Sequence, residues 1–176
     1  MTIQRRGATG SSTTSPLRSG TSAASSGSTG SDSTTSADAE PQLPAHSGSG
    51  RRAVFDMTDQ RVWLVAASGK VVRTYLVSGS KTDNVKPGTY QVYARELHTI
   101  SYNDKDTMNY MVSFTTGEHY PIGFHDIPVS RASGALLETR KQLGSPQSAG
   151  CIRQWEPDAK AMWTFAPIGT TVVVLA

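Results

Sequence analysis

Arg61-Val62-Trp63-Leu64-Val65-Ala66 and Val71-Val72-Arg73-Thr74-Tyr75-Leu76-Val77-Ser78, joined by Ala67-Ser68-Gly69-Lys70, decide the fold class of this chain. Both runs are rich in β-branched and aromatic residues, which suit a pleated surface, and a short polar turn with a glycine lets the chain double back. They predict a β-hairpin. Outward from it, Pro87-Gly88 marks a turn. Thr89 to Arg95 then alternates Tyr90, Val92 and Ala94 against Gln91 and Tyr93, which predicts a third strand. Met108 to Phe114 predicts a fourth, with Tyr110, Val112 and Phe114 on one face. Thr170 to Leu175 predicts a closing strand after the turn at Pro167-Ile168-Gly169.

One short helix is predicted over Pro157 to Phe165, because proline in the first turn has no N–H to leave unpaired and Asp158 complements the helix dipole. Met162 and Phe165 would face the sheet. Ser130 to Gln147 carries Gly134, Gly144 and Pro146 around Ala135-Leu136-Leu137, which predicts a long lid loop with at most one helical turn. The absence of helices between the strands argues against a βαβ pattern. The expected fold is mainly β: an antiparallel β-sandwich or distorted barrel with one short helix and a lid loop, preceded by a disordered N-terminal segment.

The chain has 176 residues and changes character near Arg51. Residues 1–50 are dominated by Ser, Thr, Gly and Ala, with Ile3, Leu17 and Leu43 as their large aliphatic residues, too few to offset ordering entropy. They read as a disordered linker, and residues 51–176 as one domain. The formal net charge is +3, without Lys and Arg interleaved with aromatics, so nucleic acid is not an expected partner. The single cysteine, Cys151, excludes an intramolecular disulfide and a multi-thiolate zinc site. Asp104-Lys105-Asp106 has too few further oxygen ligands for calcium, so no metal is expected. No apolar stretch reaches the length of a membrane span or forms the core of a signal peptide, so no anchor or export signal is visible.

The segment with chemical content is Ser148-Ala149-Gly150-Cys151-Ile152-Arg153, together with Gly123-Phe124-His125-Asp126 upstream. Imidazole can take a thiol proton, and the thiolate is the nucleophile. Gly150 lets the backbone approach a substrate closely, and successive N–H groups around it can point at an oxyanion. Arg153 can anchor a carboxylate. The residues alone leave two readings open, a catalytic pair or an inert buried thiol beside an unrelated histidine. His46, His98 and His119 receive no function.

At these residues the chain resembles the L,D-transpeptidase catalytic domain, whose signature is a His, a variable loop, then Ser or Thr, His, Gly, Cys, a hydrophobic residue and Arg or Asn. His125 and Ser148-Ala149-Gly150-Cys151-Ile152-Arg153 supply it. Arg61 to Ser78 is similar to the family's opening hairpin, Lys86-Pro87-Gly88-Thr89-Tyr90 to its Pro-x-Gly-x-aromatic turn, and Ile168-Gly169-Thr170-Thr171-Val172 to its closing strand, so the resemblance runs from Val54 to Ala176. Ala149 stands where the family usually has a second histidine, and the loop between His125 and Ser148 is several residues longer than the family's.

The resemblance implies a cysteine-dependent acyltransferase that cross-links peptidoglycan stem peptides through a Cys151 thioester, without a cofactor. His125 would be the base, oriented by the backbone carbonyl of Asp126, and Ala149, Gly150 and Cys151 would supply oxyanion donors. Ser148, Arg153, Tyr110 and Phe124 are the expected substrate-facing positions, carbapenem-type compounds the expected inhibitors, and the extracytoplasmic cell envelope the expected location. Water as acceptor would make it an L,D-carboxypeptidase, and the loss implied by Ala149 would leave a peptidoglycan-binding module. A sortase-like transpeptidase fits less well, because a Gly before the cysteine and an arginine two residues after it match the first family.

Overall fold

The computed structural model describes residues 41–176; residues 1–40 of the linker read from composition lie outside them. Along the chain run β1 (Arg52–Asp56), β2 (Arg61–Val65), β3 (Val71–Ser78), β4 (Gly88–Gln91), β5 (Ala94–Ile100), β6 (Asp106–Thr116), β7 (Pro121–Asp126), β8 (Val129–Ser130), β9 (Ile152–Gln154), α1 (Glu156–Phe165) and β10 (Thr171–Leu175). The strands form a single curled sheet in the order β4-β10-β1-β2-β3-β9-β7-β6-β5, with β8 paired to β6. The mainly β expectation holds.

The hairpin is β2 and β3, and its turn is closed by the Gly69 N–H on the Ala66 carbonyl at 2.9 Å, with Gly69 at φ +86° where a side chain would be strained. β2 is buried on both faces. Val62 and Leu64 enter the main core with Ala53, Phe55, Val172 and Val174, while Trp63 and Val65 join Val54 and Val173 on the other face. Apolar runs rather than strict alternation are what a strand covered on both sides needs. The outer cover is the segment before β1. Trp63 Nε1–H donates to the Pro41 carbonyl at 3.0 Å, Leu43 packs against the second cluster, and Arg52 Nε–H donates to the Ser47 carbonyl at 2.6 Å. Residues ahead of the composition change at Arg51 thus pack on the sheet.

The strand expected over Thr89 to Arg95 is divided. β4 pairs with β10, β5 pairs with β6, and the chain crosses between them at Val92 and Tyr93. The Val92 N–H donates to the Thr170 carbonyl and the Tyr93 N–H to the Ser113 carbonyl, each at 2.9 Å. Since β4 and β5 lie at opposite ends of the sheet order, this short crossing requires the sheet to curl until its ends meet. The pairing is also not wholly antiparallel. β1 runs parallel to β10 and β7 parallel to β9, because β10 arrives after α1 and β9 after the long segment 131–151, and parallel neighbours need such crossovers.

Helix α1 begins one residue before the expected start and buries Ala159, Met162 and Phe165. Phe124 sits beneath it in the core, with its ring centroid 5.0 Å from Phe114 and 6.4 Å from Phe55. Where β6 meets β7, Gly123 has no room for a side chain, since an added Cβ would lie 2.3 Å from the Val112 carbonyl oxygen. The obstacle is backbone, so the two strands would have to separate. Gly123→Ala is expected to destabilise the fold by about 2 kcal/mol, the scale of overpacking in a close-packed interior. Denaturant unfolding of the two proteins measures this.

Candidate active site

The site is built where β7 and β9 run side by side. Their parallel register sets Phe124 against Ile152, His125 against Arg153 and Asp126 against Gln154. Alternate residues share a face, so His125 and Gly123 point to one side of β7 and Arg153, opposite His125, points there too. Cys151 comes just before β9, and its Sγ lies 3.8 Å from the Pro121 carbonyl oxygen. That side opens into a cavity of about 510 Å³ lined by His125, Cys151, Arg153 and the 148–150 segment. Met108, Met111, Ile122 and Leu137 give it apolar lining, and Glu96, Asp106 and Glu118 also border it.

His125 is buried, and its Nδ1 lies 2.5 Å from the Asp126 carbonyl oxygen. A carbonyl only accepts, so Nδ1 carries the proton and Nε2 keeps its lone pair. Burial pushes the His125 pKa down to about 4, against the pull of the Asp126 carbonyl and with a further push from the Arg153 guanidinium. Burial likewise pushes the Cys151 thiol up, while the Gly123 N–H and Arg153 draw it down. Both groups are therefore neutral near pH 7. The arrangement suits proton transfer from thiol to imidazole as the sulfur attacks, rather than a standing ion pair.

The segment before Cys151 is braced by the residues after β3. The Ser148 N–H donates to the Gly79 carbonyl at 3.0 Å, the Lys81 N–H to the Ser148 carbonyl at 2.9 Å, and Asn84 Nδ2 to the Ala149 carbonyl. Ser148, expected to face substrate, borders the cavity but is largely buried, and its hydroxyl accepts the Gly150 N–H at 3.1 Å, so it also shapes the turn. Arg153 lines the cavity, but its Nη1 is held by Glu138 Oε2 at 3.0 Å. Glu138 is the buried residue of the 131–140 stretch, so this pair fastens the long loop to β9. The loop's one helical turn, at Arg140–Gln142, is a 3-10 turn.

Two aromatic residues expected to face substrate do not. Phe124 is fully buried among Phe55 and Phe114, because it lies one position from His125 and so points to the other side of β7. Tyr110 packs on α1, with its ring centroid 6.3 Å from that of Trp163 and 5.8 Å from Lys160 Nζ. It also takes a left-handed backbone, φ +60°, uncommon for a residue other than glycine. The aromatic residues that do border the cavity are Tyr93, Tyr102 and Tyr120, and Tyr102 and Tyr120 meet with ring centroids 4.9 Å apart. Both are exposed in loops, where sequence periodicity has nothing to report. Glu138 had no motif either; a lone acid in a loop of polar residues gives no sign that it folds inward. Among the described residues, no group of three or more His, Cys, Asp or Glu side chains converges to hold a metal, and no helix is long and apolar enough to cross a membrane.

Comparison with known proteins adds an independent line. A family model described as the L,D-transpeptidase catalytic domain matches residues 50–174. The Bacillus subtilis protein YciB, whose name assigns it provisionally to the L,D-transpeptidases, is 27% identical over 123 residues, covering 68% of this chain and 62% of its own length. Among solved structures, an L,D-transpeptidase from Mycobacterium smegmatis matches with TM-score 0.56 and 20% identity, over 73% of this chain and 60% of that one. L,D-transpeptidase 3 from Mycobacterium tuberculosis, solved with a faropenem-derived adduct, matches with TM-score 0.53 and 18% identity, over 73% of this chain and 61% of that one. At those identities the likeness is one of fold, and this chain spans about three fifths of each relative's length.

The buried neutral imidazole has a consequence for stability. An unfolded chain's histidine takes up a proton near its ordinary pKa of 6.5, whereas folded His125 does so near 4. Between these values the unfolded state binds more protons, so stability falls as pH drops from 6.5 to 4 and this contribution levels off below. Denaturant midpoints at pH 7 and pH 4.5 should differ more for the wild type than for His125→Gln, which lacks the titrating ring. Equal differences would contradict the burial of a neutral His125.

Proposed function

The chain belongs to the L,D-transpeptidase catalytic domain family, and from that premise we propose that it transfers acyl groups between peptidoglycan stem peptides through a Cys151 thioester. The observation that carries this reading is that Cys151 and His125 line one cavity, with the His125 Nδ1 proton committed to the Asp126 carbonyl.

In this mechanism the Cys151 thiol gives its proton to His125 Nε2 as Sγ attacks the donor carbonyl between the L-centre of a diamino acid and the terminal D-residue. The main-chain N–H groups of Ala149 and Cys151 receive the oxyanion, the Gly150 N–H being bonded to Ser148. Collapse of the adduct breaks the C–N bond, the imidazolium protonates the leaving amine, and the D-residue departs. A second stem's amine then attacks the thioester, His125 takes its proton, and the C–S bond breaks to restore the thiol. One amide is exchanged for another, and no redox step occurs. Water in place of the amine gives the L,D-carboxypeptidase outcome.

The acidic residues Glu96, Asp106 and Glu118 on the cavity border support an amine-bearing acceptor, since opposite charge concentrates a cationic group in a cleft. Arg153, neutralised in part by Glu138, serves a donor carboxylate. A side chain at position 149 is not required for the main-chain donors, so Ala149 is compatible with acyl transfer. A substrate in the wall would require the domain to act outside the cytoplasm, in the cell envelope.

The test is incubation with a carbapenem followed by intact-mass measurement. Wild-type protein is expected to gain one covalent adduct, Cys151→Ala none, and His125→Ala to acylate roughly 100-fold more slowly or worse, the usual contribution of a general base. A folded wild type that gains no adduct would overturn the acyltransferase reading and leave the peptidoglycan-binding module.

A further inference from the structure

On the side of β7 away from Cys151, a polar chain runs from the protein surface to the backbone that holds His125. Exposed His98 on β5 meets Asn109 on β6, with Nδ1 and Oδ1 2.8 Å apart. Asn109 in turn grips the Asp126 carboxylate twice: its backbone N–H donates to Oδ1 at 2.7 Å and its Nδ2 to Oδ2 at 2.8 Å. Because Nδ2 is spent on a carboxylate, Oδ1 is the face turned to His98, and His98 Nδ1–H must be the donor. The last link is the Asp126 carbonyl, which accepts His125 Nδ1–H at 2.5 Å.

The local backbone is bent to make this clamp. The β6–β7 ladder ends with Val112 opposite Phe124, and continuing its register would set Tyr110 against Asp126. Tyr110 instead takes φ +60°, and the neighbouring Asn109 N–H is directed at the Asp126 side chain. Strained conformations of this kind persist where the surroundings over-determine them, and they gather at functional sites. Here the surroundings are the Trp163 ring against Tyr110 and the doubly bonded carboxylate.

We propose that Asn109 is a positioning residue of the active site: by clamping the Asp126 carboxylate, and being braced by His98, it fixes the Asp126 peptide so that its carbonyl holds His125 in the Nδ1–H form. The contact between His125 and the carbonyl of the very next residue depends on the orientation of that one peptide plane. With the clamp gone, the plane can turn, Nδ1 loses its acceptor, and the tautomer that points an N–H rather than a lone pair at the thiol becomes populated. Burial pushes the Asp126 carboxyl up, and the two Asn109 bonds act against it. The proposal rests on the reading of His125 as the base for Cys151.

The test uses the full chain with three readouts: the His125 tautomer by 15N NMR, the rate of Cys151 alkylation by iodoacetamide at pH 7, and the unfolding midpoint. Asn109→Ala and Asp126→Ala are expected to give mixed tautomers and roughly tenfold slower alkylation, the double variant being no worse than either single one. Asp126→Asn, which keeps one acceptor, should fall between them and the wild type, and His98→Ala should show a smaller loss. If Asn109→Ala and Asp126→Ala keep the wild-type tautomer and alkylation rate while only the midpoint drops, the residues are structural and the proposal is overturned. His125→Ala separates the premise from the proposal. Unchanged alkylation there would sink the base assignment, while the tautomer spectrum of Asn109→Ala would still decide the clamp.

Discussion

The parallel pairing of Phe124, His125 and Asp126 with Ile152, Arg153 and Gln154 supports both the sheet and the site. β9 is the seam of the curled sheet. On one side it meets β3 through Val77 with Gln154 and Ser78 with Arg153, and on the other it meets β7. The seam is reinforced from behind, where the Tyr75 hydroxyl meets Gln154 Oε1 at 2.6 Å in a buried setting. A slip of the seam would leave the buried Tyr75 hydroxyl without this acceptor, which favours the one register. A slip of one residue would also turn Cys151 and Arg153 away from His125.

The same seam explains why the long loop belongs to the site rather than merely covering it. A parallel partner for β7 can be reached only by a crossover, and segment 131–151 is that crossover. Its end supplies Ser148, Ala149, Gly150 and Cys151, its middle supplies Glu138, and the Glu138 pair with Arg153 returns to the strand the loop leads into. Burying a carboxylate is costly unless it is paired, so the ion pair enforces the loop's position more than it adds stability.

Local features of the chain were legible in their own right. The hairpin at β2 and β3, the helix ending at Phe165 and the closing strand β10 each follow from residues adjacent in sequence. β1, β7 and β9 went unread for a different reason: β7 contains Pro121 and Gly123, and β9 is only Ile152, Arg153 and Gln154. Neither carries a periodic signal of its own, and both are strands because neighbours offer them hydrogen bonds. The division of Thr89 to Arg95 is similar, since its alternation is genuine but the sheet's curl cuts it at Val92 and Tyr93. At the site, the pairing of Cys151 with His125 and the Asp126 carbonyl came from a motif. Tyr110 and Phe124 lie away from the cavity, because residue type and spacing do not tell which face of a strand looks into it.

By itself the sequence determined the fold class, the family signature and the identity of the thiol and imidazole, because propensity, turn chemistry and motif spacing act between residues close along the chain. Tertiary structure alone decided that β7 and β9 run parallel, that Glu138 folds inward onto Arg153, and that Asn109 reaches the Asp126 carboxylate. Each of these joins residues from separate elements. Their energies come from excluding water and satisfying buried polar groups, and those terms exist only once the sheet has closed.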